Sequence, residues 1–155
     1  MKIIAIDPGY ERLGIAILEK GTRRETLVFS ECFKTSAKEK HEDRLRSIGE
    51  EIGKVIKKYK PEALAIENLF FKTNAKTAMK VSEARGVILY EAAKAGLKIT
   101  EFTPLQIKVA VTGYGKSDKN QVIQMVERLI AVEPLKYDDE YDAIACGLTY
   151  FATNR

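Results

Sequence analysis

Two carboxylates stand where an apolar run ends. Asp7 follows Ile3-Ile4-Ala5-Ile6 and Glu67 follows Ala63-Leu64-Ala65-Ile66, so each acid sits at the tip of a segment built to be buried. A charge at such a place is costly unless it is paired, hydrogen-bonded or bound to a metal. Asp7 has a plain alternative, because aspartate before Pro8-Gly9 is a common turn former; glutamate is a poor one, and Glu67 is harder to explain that way. A third group of acids, Asp138-Asp139-Glu140-Tyr141-Asp142, runs into Ala143-Ile144-Ala145. The macrodipole favours acids at a helix N-terminus. One or two suffice for that, this segment has four, and Asp142 lies inside the first turn of an otherwise apolar helix. Asp142 shares a helix face with Asp139, three residues back, and also with Asp138, four back, so the residues alone leave the register between those two open.

Carboxylates gathered in one cleft repel one another unless a hard divalent cation neutralises them. Oxygen ligands without cysteine or histidine select Mg2+ or Mn2+. The single His41 falls at a charged helix start and is expected to face solvent, while Cys32 and Cys146 have no metal-ligand spacing and suggest no disulfide framework. Three or four acids holding two ions about 4 Å apart are a recurring apparatus for phosphodiester cleavage. Such a site needs a basic surround to bring in the phosphate backbone. Residues 72–119 carry nine Lys and Arg against four Asp and Glu, while the whole chain has a formal net charge of +4. A polyanionic partner fits that distribution, although a run of charge is more often a solvated face.

The elements that must position these acids follow from patterning. The chain has 155 residues, 45% hydrophobic and 31% charged, which describes one folded domain spanning 1–155 and excludes bulk disorder. No apolar run approaches the roughly 18 residues needed to cross a bilayer. With Asp7 so early, no secretory signal is expected, and a reducing cytoplasm fits best. Residues 2–7, 13–18 and 24–30 predict three antiparallel strands, the last two joined by a hairpin around Lys20-Gly21-Thr22. Between 37 and 59, Leu45, Ile48, Ile52, Val55, Ile56 and Tyr59 give an amphipathic helix. Residues 63–66, apolar on both faces, predict a central strand. A helix capped by Asn74 then runs to a stop at Gly96, followed by a strand over 97–102. Thr103-Pro104 opens another helix, Ser117 is the expected cap of one over 118–130, and a buried helix over about 139–151 ends the chain. The expectation is an α/β fold, a mixed five-stranded sheet flanked by helices.

Six stretches give the sequence a resemblance to a known family. Ile6-Asp7-Pro8-Gly9 with Gly14, Ala65-Ile66-Glu67-Asn68-Leu69-Phe70, Ser82-Glu83-Ala84-Arg85-Gly86, Thr103-Pro104-Leu105-Gln106-Ile107-Lys108, Gly115-Lys116-Ser117-Asp118-Lys119 and Asp139-Glu140-Tyr141-Asp142-Ala143 occur in order. The chain resembles the RuvC Holliday-junction resolvases, of RNase H-like fold. The resemblance implies a homodimeric endonuclease that cuts two opposed strands of a four-way DNA junction, with two Mg2+ ions per site and Mn2+ as a substitute. It implies that Asp7, Glu67, Asp139 and Asp142 bind the metals, with Asp139 at a family position that is not always aspartate. It implies that Phe70 stacks near the junction centre, and that Lys108 and Lys119 lie near the scissile strand. Lys72, Lys76, Arg85 and Lys116 are the further DNA-contacting candidates. The helix carrying Ser82, Arg85 and Gly86 is expected at the dimer interface, and a branch-migration motor is the expected protein partner. The competing readings are an RNase H-like DNA-binding protein without catalysis and another nuclease of that superfamily. A sugar-kinase-like phosphotransferase would need a second domain, and 155 residues with ten glycines do not supply one.

Overall fold

A computed structural model describes residues 1–68 and 75–154. Phe70, Lys72 and the expected cap Asn74 lie outside the described residues.

Strands β1 (Lys2–Asp7), β2 (Arg12–Glu19) and β3 (Thr26–Lys34) form an antiparallel meander. Helix α1 (His41–Tyr59) leads to β4 (Ala63–Glu67), and α2 (Ala75–Lys94) leads to β5 (Lys98–Phe102). Both later strands run parallel to their neighbours, giving a sheet of order β3-β2-β1-β4-β5. Helices α3 (Pro104–Thr112), α4 (Lys119–Ile130) and α5 (Asp138–Thr153) complete the chain.

The two faces of the sheet are chemically different. Alternation sends Ile4, Ile6, Ile15, Ile17, Leu64 and Ile66 toward α1 and α2. It sends Ile3, Ala5, Ala16, Leu18, Ala63 and Ala65 toward α3, α4 and α5. Four alanines on that second face let α5 approach closely. At Gly147 the contact leaves no room for a side chain, since a Cβ would lie 2.6 Å from Leu18 Cδ1 and 3.0 Å from Ala5 Cβ. Helix α5 is buried from Ala143 through Phe151, as its composition predicts.

Some boundaries differ from expectation. β3 continues four residues past Ser30, pairing Lys34 with Arg12, because ladder hydrogen bonds hold the polar Glu31, Cys32 and Lys34 in place. Helix α1 starts at His41 rather than Ala37, with Lys40 as its extended N-cap. The cap of α4 is Asp118, whose carboxylate accepts from the Gln121 amide in a capping box. Ser117 is instead buried and bonded to Thr112 and to the Tyr114 carbonyl. His41 does not simply face solvent: Nδ1 is hydrogen-bonded to Tyr10 Oη at 2.7 Å and Nε2 to Glu83 Oε2 at 2.8 Å.

Candidate active site

Asp7 and Glu67 follow Ile6 and Ile66, which pair across the parallel β1–β4 ladder, so the two acids are neighbours at the C-terminal ends of two inner strands. Alternation puts Asp7 on the same face as Ile3 and Ala5, and Glu67 on that of Ala63 and Ala65. That is the face α5 covers. Its first turn brings Asp139 and Asp142 over the strand ends, and the approach depends on Gly14, the partner of Asp7 in β2. A Cβ at Gly14 would stand 2.0 Å from the Asp139 carbonyl oxygen and 3.2 Å from Asp7 Cβ. Beside the acids lies a cavity of about 240 Å³ lined by Glu67 and Asp142, with Lys108 of α3 and Lys119 of α4 on its wall.

Crowding is visible in the protonation equilibria. Burial, then the charges of Asp142, Glu67 and Asp139, push the Asp7 carboxyl well above the usual carboxylate range. Burial and the Asp142 charge raise Glu67 to about 6, against a hydrogen bond with Asp7 and the nearby Lys119 and Lys108. Burial also raises Asp142, opposed by Lys119. The Lys119 ammonium lies 2.9 Å from Asp142 Oδ2 and 3.6 Å from Asp138 Oδ2. Desolvation pulls its pKa down, but the bond to Asp142 and the surrounding negative charge leave it raised.

Asp138 and Asp139 part company here. Asp138 is exposed, lies beside Lys119, and its charge helps raise Asp142. Asp139 turns toward β2 and β3, where Arg12 Nη2 approaches Oδ2 at 2.7 Å and the Cys32 thiol donates to the same oxygen at 3.6 Å. The charge of Asp139 is also among those that raise Asp7.

The donor set suits a hard cation in kind, since every candidate ligand is a carboxylate oxygen and their mutual repulsion is what a divalent charge would relieve. Among the described residues no three such side chains already converge as a cation cage. Asp142 is held by Lys119 and Asp139 by Arg12, so ligation by all four acids would require both bases to let go.

The other expected contacts divide. Lys116 is exposed on the α3–α4 connection and Lys76 is exposed in the first turn of α2. Arg85 is drawn away from the cleft. Its side chain is 16% exposed and its Nη2 lies 2.6 Å from Glu101 Oε2, on the face of β5 that meets α2. The sequence reading overlooked Arg12. Its signal was proximity to Asp7, but only the docking of α5 reveals its partner. The same docking assembles Lys34 and Lys136 around Tyr137, with Lys34 Nζ donating to Tyr137 Oη at 2.9 Å.

Known proteins share the family and the fold of this chain. The family described as crossover junction endodeoxyribonuclease RuvC matches residues 3–150. A protein of that name from Thermosipho melanesiensis is 45% identical over 146 residues, 94% of this chain and 93% of its own. One from Fusobacterium nucleatum is 40% identical over 151 residues, covering 97% of this chain and 80% of its own. The structure of Thermus thermophilus RuvC in complex with Holliday junction substrate superposes with a TM-score of 0.94 at 32% identity, covering all of this chain and 95% of that one. The sheet and its flanking helices are therefore RNase H-like, and the chain belongs to the RuvC family of crossover junction endodeoxyribonucleases.

Proposed function

We propose that this chain is a metal-dependent endonuclease that resolves four-way DNA junctions by hydrolysing one phosphodiester in each of two opposed strands. One observation supports it above the others: Asp7 and Glu67 stand side by side beneath the α5 turn that carries Asp139 and Asp142, with Lys108 and Lys119 on the wall beside them. Those four carboxylates would hold Mg2+, two ions per site, with Mn2+ as a substitute. Such ions supply a nucleophile at neutral pH and neutralise charge building on the phosphate.

The chain's own groups do the rest. Lys119 and Lys108 attract the scissile backbone, and Lys119 leaves Asp142 for phosphate as DNA enters. Arg12 orients Asp139. Phe70 stacks on an unpaired base at the junction centre, a contact worth about 1 to 3 kcal/mol, while Lys72, Lys76 and Lys116 extend the backbone contact.

A homodimer supplies the second cut. The stripe Met79, Ser82, Gly86 and Tyr90 on α2 suits a second copy, since Met79 and Tyr90 are 66% and 63% exposed and a Cβ at Gly86 would meet nothing within 4 Å. Residues 1–155 act as one nuclease domain, in the cytoplasm with the DNA, and a branch-migration motor is the proposed partner. No helix among the described residues is long and apolar enough to cross a membrane.

A nicking assay on a synthetic four-way junction with Mg2+ tests this reading. Paired, symmetric, ligatable nicks are expected, lost in Asp7→Asn. Junction binding without nicking would identify a non-catalytic relative, and equal cutting of linear duplex another kind of nuclease.

A further inference from the structure

Around the corner from the acids, a separate cavity of about 520 Å³ opens between the β1–β2 loop, the start of α1 and the first turns of α2. Its wall includes Tyr10, Glu11, Arg12, Arg44, Thr77 and Lys80, three cations against one carboxylate. Arg12 forms the partition, being bound to Asp139 on the cleft side.

Arg44 is the central feature. It is 5% exposed, donates from Nε to Thr35 Oγ1 at 3.0 Å, and lies with its guanidinium carbon 3.9 Å from the centre of the Tyr10 ring. Its Nη2 is buried and has no hydrogen-bond partner among the described residues. Folded proteins seldom leave a buried donor of this kind without an acceptor. Lys80 reaches over the same ring, 5.4 Å from its centre, and no carboxylate among the described residues pairs with it.

The surroundings hold this arrangement in place. Tyr10 Oη is bonded to His41, and His41 in turn holds Glu83, the nearest acid on α2, at 2.8 Å. Glu11 remains as the one acid on the wall, and it is exposed. What this wall lacks is an anion with several acceptor oxygens, able to meet a guanidinium fork, an ammonium and the Thr77 hydroxyl from different directions. A phosphodiester is such a group.

We propose that this cavity grips one backbone phosphate of the bound junction, outside the cleavage centre and separated from it by Arg12. The proposal rests on the junction-resolving reading above. It gives Arg44, outside the basic stretch, and Lys80, within it, a shared phosphate-binding role that the acid cluster does not predict.

The test uses the full chain and a synthetic four-way junction. Lys80→Ala should weaken junction affinity about tenfold and reduce the log-log salt slope by about one, with an unchanged melt. A series of junctions, each with one neutral methylphosphonate, should contain a position that weakens the parent equally and does not weaken Lys80→Ala further. Arg44→Lys, which keeps charge but loses the fork, should weaken binding at that same position; if it fails to fold, Lys80→Ala still decides. Unchanged affinity and slope in Lys80→Ala, or additive losses at every position, overturn the proposal. So does a pocket that serves only a free phosphate, seen as inorganic phosphate raising the parent's melting temperature while Lys80→Ala binds the junction normally. A parent that neither binds nor cuts the junction defeats the functional reading itself, whereas a competent parent with an indifferent Lys80→Ala defeats only the pocket.

Discussion

Acids crowd together in two regions of this molecule, and only one of them resembles a site. In the cleft, Asp7, Glu67 and Asp142 arrive from two strands and a helix, and Glu67 and Asp142 border a cavity with lysines on its wall. On the opposite face of the sheet, Glu31 of β3 meets Glu51 of α1, with Lys54 beside them. Glu31 is raised to about 7, first by burial and then by the Glu51 charge and hydrogen bond, a larger displacement than that of Glu67, which its surroundings raise to about 6. A raised carboxyl is thus no marker of function by itself. The difference is room. One oxygen of Glu31 is buried with no partner among the described residues, and burial beside the Glu51 charge favours the protonated Glu31 carboxyl, whereas the cleft leaves space and counter-charge for a phosphate.

The sharpest way to break that contrast is to neutralise one acid in each place. Asp7→Asn should bring junction cleavage below detection while binding, carried by backbone charge, stays within about threefold or tightens. Glu31→Gln should leave cleavage at the parent rate. Loss of cleavage in both variants would mean that the two regions are coupled through the sheet and that the contrast fails. Millimolar Mg2+ should raise the parent's melting temperature as any native-state ligand does. The rise should vanish in Asp7→Asn combined with Asp142→Asn, so a retained rise would place the ion elsewhere.

A smaller effect is expected where the cleft is shaped rather than charged. Gly14→Ala puts a methyl into the Asp139 carbonyl, so the first turn of α5 must shift, with a loss of about 1 to 3 kcal/mol of stability. Cleavage should fall by about a hundredfold, as misplacement near reacting groups does. A full-rate Gly14→Ala would show that the α5 turn need not sit against Asp7. Asp139→Asn should cost more activity than Asp138→Asn, because Asp139 acts on both Asp7 and Asp142, while Asp138 acts on Asp142 from an exposed position beside Lys119.

The sequence discloses the strand-end acids because each interrupts an apolar run, and apolar runs are the strongest signal a chain carries. It discloses α5 as a buried helix for the same reason. What it hides depends on docking. Gly14 looks like any strand glycine until α5 is pressed against it, and Arg12 like a surface residue until Asp139 turns toward it. Charge balance offers Arg85 as a DNA contact, and only the packing of α2 on β5 reveals Glu101 as its partner. β3 was read short because Glu31 and Lys34 break its apolar pattern, and the ladder to β2 overrides that pattern. Ser117 and Asp118 are both good caps, and only the side-chain geometry of Asp118 with Gln121 separates them.

The smallest expected effect concerns the back of the sheet and isolates Glu31 by its pH dependence. Its folded carboxyl titrates at about 7 against an ordinary 4.5. Between those values the folded protein holds a proton that the unfolded chain has released, so this group's contribution to stability falls as pH rises through the window and is constant above it. Glu31 is only half-buried, and screening reduces the effect to about 1 kcal/mol. Glu31→Gln keeps a donor for Glu51 and has nothing to ionise. The variant should therefore melt like the parent near pH 4 and about 2 to 4 °C higher at pH 8. Taking the difference between the two proteins cancels the slope contributed by Asp7, Glu67 and Asp142. A difference that is the same at both pH values would mean that the substitution acts through packing under α1, and that the Glu31 carboxyl is not raised.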